Sequence, residues 1–170
     1  MMEHTTSAFQ SLGPSIVLLV VLLATPVFAK NDKTPNEMNQ QNHAMVMAKI
    51  KSIDAATLKS WIESKKDFIL LDVREPDEIN AVKIIAENSM EIPRGVVEFK
   101  FPRWVSDKEA TVVIYCSHGW RSAAVTDIIN QYGYKNIYNL KDGIFAWIMA
   151  GYQVANFYGT FEMKNFESKF

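Results

Sequence analysis

Apolar residues along the chain fall into short unbroken runs separated by stretches with helical spacing. Phe68-Ile69-Leu70-Leu71 is one such run and ends in Asp72-Val73-Arg74. Thr111-Val112-Val113-Ile114-Tyr115 is a second, leading directly into Cys116, and Ile137 to Leu140 is a third. Short unbroken apolar runs with polar groups at their carboxyl ends are the pattern of parallel strands buried on both faces. Between them the period changes. Asp54 is placed as an N-cap ahead of Leu58, Trp61 and Ile62, which predicts a helix ending near Lys65. Val125, Ile128, Ile129 and Tyr132 form one stripe that Gly133 terminates. Ile144, Trp147 and Ile148 form another, between about Asp142 and Ala150, that stops at Gly151. Strands that alternate with helices over short connections imply an α/β fold with a mainly parallel central sheet flanked by helices. Ligands of such sheets gather at the carboxyl ends of the strands, where Asp72 and Cys116 both fall.

The flanks differ from this pattern. Ile16 to Ala24 is an apolar run too short to span a membrane, and Val27-Phe28-Ala29 closes it with a small residue as a cleavage site would. This predicts a signal peptide cut after Ala29, a periplasmic or secreted protein, and no stable membrane insertion afterwards. No Lys or Arg precedes the run, which leaves an uncleaved amino-terminal helix as the alternative. Residues 30–52 read as a flexible polar linker, rich in Asn and Gln, that ends in a short helix carrying Met45, Met47 and Ile50. The folded domain then covers 53–154. The extension at 155–170 holds Phe157, Tyr158, Phe161, Phe166 and Phe170, and so much aromatic surface predicts packing back onto the domain.

Charge narrows the possibilities. All 18 basic residues and every acidic residue except Glu3 lie after Ala29, so that part is formally neutral and does not suit binding to nucleic acid by bulk charge. The single cysteine allows no internal disulfide, and an unpaired thiol in an oxidising compartment is either buried or chemically used. Three scattered histidines and one cysteine make no metal-ligand set, and no cofactor is implied.

Cys116-Ser117-His118-Gly119-Trp120-Arg121-Ser122 lies between a strand and a helix. A loop there can turn successive backbone N–H groups inward as an anion nest, and the helix adds the positive end of its dipole. Both favour a thiolate, the nucleophilic form of cysteine. Gly119 supplies the tight curve, Arg121 a cation for an oxyanion or terminal sulfur, and Ser122 a helix cap. A buried structural cysteine is the alternative.

Cys116-x-x-Gly119-x-Arg121-Ser122 resembles the active-site loop of the rhodanese-like family. The resemblance extends to Leu71-Asp72-Val73-Arg74-Glu75-Pro76, to Ile92-Pro93-Arg94-Gly95 and to Gly143-Ile144-x-Ala146-Trp147 with Ala150-Gly151, and covers roughly Asp54 to Val154. It implies the family's three-layer fold and a sulfurtransferase in which Cys116 accepts a sulfur atom as a persulfide. A small donor such as thiosulfate or a persulfide would supply that atom, and a thiophilic acceptor such as cyanide or a thiol would remove it. Ser117, His118, Gly119, Trp120 and Arg121 would line the substrate loop, with Asp72 and Arg74 beside it; Asp72 also suits a structural carboxylate that accepts loop N–H groups. His118 is placed either as a proton donor or substrate contact or as a solvent-facing residue, and Trp120 either as a guide for a partner or donor or as wall packing. A non-catalytic module that binds sulfide, persulfide or an oxyanion for a partner protein is the other reading. Four residues between Cys116 and Arg121 match sulfurtransferases, whereas related dual-specificity phosphatases have one more. The chain departs from many relatives at Val82-Lys83-Ile84, at Glu87-Asn88 and at Asp142-Gly143, where relatives often carry Gly-Gly.

Overall fold

In the computed structural model, residues 33–164 are described; the expected leader at 1–29, Phe166 and Phe170 lie outside them. Five parallel strands form the central sheet: β1 (Lys51–Ile53), β2 (Ile69–Asp72), β3 (Ser89–Glu91), β4 (Thr111–Tyr115) and β5 (Asn136–Leu140), in the order β1-β5-β4-β2-β3. Six α-helices accompany them among the described residues: α1 (Pro35–Met47), α2 (Ala55–Glu63), α3 (Pro76–Ala81), α4 (Val97–Trp104), α5 (Trp120–Gln131) and α6 (Gly143–Met149). None of the helices among the described residues is long and apolar enough to cross a membrane.

The unbroken apolar runs form strands because both faces of the sheet are covered, so consecutive residues enter opposite cores. Along β4 and its end, Val112, Ile114 and Cys116 point to the layer holding Phe101, Val125 and Ile129, whereas Val113 and Tyr115 join Leu58, Ile144 and Trp147. The five strands bury their apolar side chains in these two layers, the main stabilising contribution to the domain.

Four local findings differ from the sequence pattern. The polar segment around 35–47 is a helix rather than a linker. Thr34 caps it reciprocally with Glu37, and Pro35 occupies its first turn, so the capping signal outweighs the polar composition. The sheet begins at Lys51, ahead of the expected boundary, as an edge strand beside β5. Tyr132 is nearly half exposed, and the inward face of α5 instead carries Ser122, Ala123, Val125, Thr126 and Ile129. In the tail, β6 (Val154–Asn156) and β7 (Gly159–Phe161) form an antiparallel hairpin. Val154 and Phe161 pack on the core, but Phe157 and Tyr158 form the hairpin's turn and are more than nine-tenths exposed.

Candidate active site

After β2 the chain crosses outward to β3, and after β4 it crosses the other way to β5. The loops leaving these two neighbouring strands therefore diverge, opening a crevice at their carboxyl ends. Cys116 closes β4 in that crevice, with its side chain 1% exposed.

Gly119 has φ +83°, and a Cβ there would sit 2.9 Å from the Asp142 backbone nitrogen. The curve of the loop thus requires glycine. Helix α6 fixes the loop from the other side: Ile144 N–H donates to the Cys116 carbonyl at 2.9 Å and Phe145 N–H to that of Ser117 at 3.1 Å. Carbonyl and N–H of one peptide point in opposite directions, so these bonds turn the Ser117 and His118 N–H groups away from α6. Among the described residues, no acceptor receives a backbone N–H from Ser117 through Ser122. The loop and first turn of α5 therefore present free donors for an anion, together with the helix dipole. The close approach needs Gly143, since a Cβ there would lie 2.3 Å from the Cys116 carbonyl oxygen. Asp142 adopts φ +57°, a conformation Asp tolerates better than most residues.

Sequence reasoning missed Glu78. Arg121 donates to it through Nη1 and Nη2, both at 2.7 Å, and Ser117 Oγ donates to it at 2.6 Å; Arg121 Nη2 also reaches Ser117 Oγ at 3.0 Å. This clamp joins α3 to the loop. The Arg121 guanidinium, helped by Ser117, holds the Glu78 carboxyl well below the usual range, at about 2, against the opposing effect of partial burial. Glu78 in turn raises the pKa of Arg121. The signal for Glu78 was its position four residues after Arg74 in an acidic helix start, but the pairing joins residues 43 apart in sequence.

Asp72 and Arg74, expected beside the substrate loop, form a buried ion pair. Each is 2% exposed, and they face each other: Nε donates to Oδ1 at 3.0 Å and Nη2 to Oδ2 at 2.6 Å. Asp72 also accepts the N–H of Arg74 itself, not one from the cysteine loop. Burial disfavours the Arg74 charge, but Asp72 outweighs it and leaves the guanidinium pKa raised. Arg74 further donates to the carbonyls of Glu78 and Val82, which pins α3 and hence the Glu78 clamp. Behind the pair, burial and the Asp72 charge push Tyr115 well above its ordinary pKa, and its hydroxyl accepts the N–H of Ile84 at 3.3 Å.

Ser122 does not cap α5, which begins two residues earlier behind Gly119. Its hydroxyl points inward, 2.7 Å from Asn139 Oδ1, 3.2 Å from the Gly119 carbonyl and 3.5 Å from Cys116 Sγ. One proton thus has three acceptors within reach, the sulfur among them. His118 is exposed and stacks on Phe145 with ring centroids 5.1 Å apart. Trp120, 46% exposed, lies flat against His43 of α1 at 4.2 Å, which makes it a wall of the site. Among the described residues no group of three His, Cys, Asp or Glu side chains is placed to hold a metal ion.

A parallel sheet with a cysteine loop at the carboxyl end of its central strand is an α/β domain of the three-layer kind. The model of the rhodanese-like domain matches residues 54–150, and the chain belongs to that family. Its curated relatives are named sulfurtransferases, and the chain is of the rhodanese type within them. It is 30% identical to a sulfurtransferase of Allochromatium vinosum over 102 residues, 60% of this chain and 92% of that protein. It is 34% identical over 98 residues to a putative sulfurtransferase of Bacillus subtilis, 58% of this chain and 90% of that one. A solved rhodanese-related protein of Thermoplasma volcanium, 35% identical, overlays with a TM-score of 0.53 over 62% of this chain and 97% of its own.

Proposed function

We propose that the protein is a thiosulfate sulfurtransferase that carries sulfur on Cys116 as a persulfide. The observation behind this reading is the set of unpaired N–H donors from Ser117 to Ser122 grouped around a buried cysteine at the start of a helix. The Cys116 thiolate attacks the outer sulfur of thiosulfate; the S–S bond of the donor breaks, and sulfite leaves with the electron pair. The new terminal sulfur, as an anion, is stabilised by the same N–H groups. A thiophilic acceptor such as cyanide then attacks that sulfur. The electron pair of the persulfide bond returns to Sγ, and thiocyanate leaves. Arg121, its charge largely offset by Glu78, acts on the rim of the nest, while Glu78 and Ser117 keep it there.

Thiocyanate formation from thiosulfate and cyanide by the wild type, with none by Cys116→Ser, is the expected result. A wild type that binds thiosulfate without turnover would make the domain a binding module. We further propose that residues 1–29 are a leader removed on export, so that this chemistry takes place outside the cytoplasm. Amino-terminal sequencing of the protein recovered from cells, expected to begin at Lys30, tests that part, and an intact Met1 or Met2 start would refute it.

A further inference from the structure

Behind Cys116 a line of three side chains leads out of the site to helix α1. Ser122, fully buried, has its Oγ 3.5 Å from Cys116 Sγ and 2.7 Å from Oδ1 of Asn139, which is 1% exposed near the end of β5. The other arm of that amide, Nδ2, donates to Met47 Sδ at 3.7 Å. Met47 is the last residue of α1, a helix that buries none of its side chains.

Proton positions along this line follow from the groups themselves. Two oxygens 2.7 Å apart need a proton between them, and an amide oxygen carries none, so the one hydroxyl proton of Ser122 lies toward Asn139. Ser122 then turns lone pairs toward Cys116, which suits a thiol donating its S–H and opposes a thiolate. An amide turned over would reverse this. Its Nδ2 would donate to Ser122 Oγ and release the hydroxyl proton to the sulfur, where a charge-assisted bond favours the thiolate. Shape does not choose between the two orientations, because the oxygen and nitrogen ends of an amide are nearly alike. Met47 does choose: a thioether only accepts, so it holds the NH2 group on its own side.

We propose that Asn139 is a positioning residue for Cys116 and that Met47 sets its orientation, so that α1 in its docked place withholds the Ser122 proton from the sulfur. Helix α1 thus restrains the nucleophile through two intervening side chains, against the pull of the loop N–H groups toward the thiolate.

The test is the rate at which iodoacetamide, which reacts with the thiolate, alkylates Cys116 in the purified protein at neutral pH. Met47→Leu conserves volume and removes the acceptor, and should raise the rate about threefold. Asn139→Leu frees the Ser122 proton outright and should raise it about tenfold. Neither gain should appear in a Ser122→Ala background, which has no hydroxyl to redirect. An unchanged rate in either variant overturns the proposal. So does a gain that survives Ser122→Ala, since that would come from opening of the loop and not from the proton. If Asn139→Leu does not fold, Met47→Leu with and without Ser122→Ala decides the matter. The proposal rests on Cys116 as the nucleophile of sulfur transfer, but alkylation involves no sulfur donor. Rates that shift as expected in a protein that takes no sulfur from thiosulfate would therefore overturn the sulfur-transfer reading and leave the roles of Asn139 and Met47 standing.

Discussion

Glu78→Gln keeps the side chain's shape and removes its charge, leaving the Arg121 guanidinium without its carboxylate. In the folded protein the Glu78 carboxyl is lowered from 4.5 to about 2, and one pKa unit corresponds to about 1.36 kcal/mol. Both side chains of the pair are 34% exposed, so solvent screening reduces the contribution of the charge to about 1–2 kcal/mol. Because the folded pKa lies below the unfolded one, this stabilisation is complete above about pH 5. It is lost as pH falls from there to about 2, where Glu78 protonates in the folded state as well. Urea unfolding of both proteins at several pH values should show a gap of about 1–2 kcal/mol at pH 7 that closes almost entirely by pH 2. Equal stabilities at pH 7, or a gap of constant size down to pH 2, would refute the reasoning. A loop freed from its clamp should also lower kcat/KM for thiosulfate at neutral pH, about tenfold.

Removing the buried partner of Arg74 is more severe. Asp72→Ala should cost about 3–5 kcal/mol in denaturant unfolding, since it strands a buried guanidinium, and a loss below about 1 kcal/mol would contradict the buried pair. Gly143→Ala places a Cβ 2.3 Å from the Cys116 carbonyl at a positive φ. It should lower stability by about 2–4 kcal/mol and cut thiosulfate turnover by at least about 100-fold in protein that still shows native circular dichroism; unaltered turnover would mean that α6 does not shape the loop.

The strands that build the site were legible because β2, β4 and β5 are buried on both sides and therefore read as unbroken apolar runs. The edge strands β1 and β3 have only three residues each, half polar in pattern, and take their form from pairing with β5 and β2, which local sequence does not encode. Cys116, Gly119 and Arg121 were legible as a loop because the strand before and the helix after bracket them. Glu78 was not, since its role arises only when α3 and α5 meet across the crevice. The nearness of α1 was equally hidden: a polar helix with no buried residue carries no core signal, yet it brings His43 against Trp120.

Intact-mass measurement of the protein before and after thiosulfate tests the central claim most directly. A gain of about 32 Da on the wild type, absent from Cys116→Ser and removed by cyanide, is the predicted result. An unchanged wild-type mass, or the same gain on Cys116→Ser, would contradict the assignment of Cys116 as the sulfur carrier.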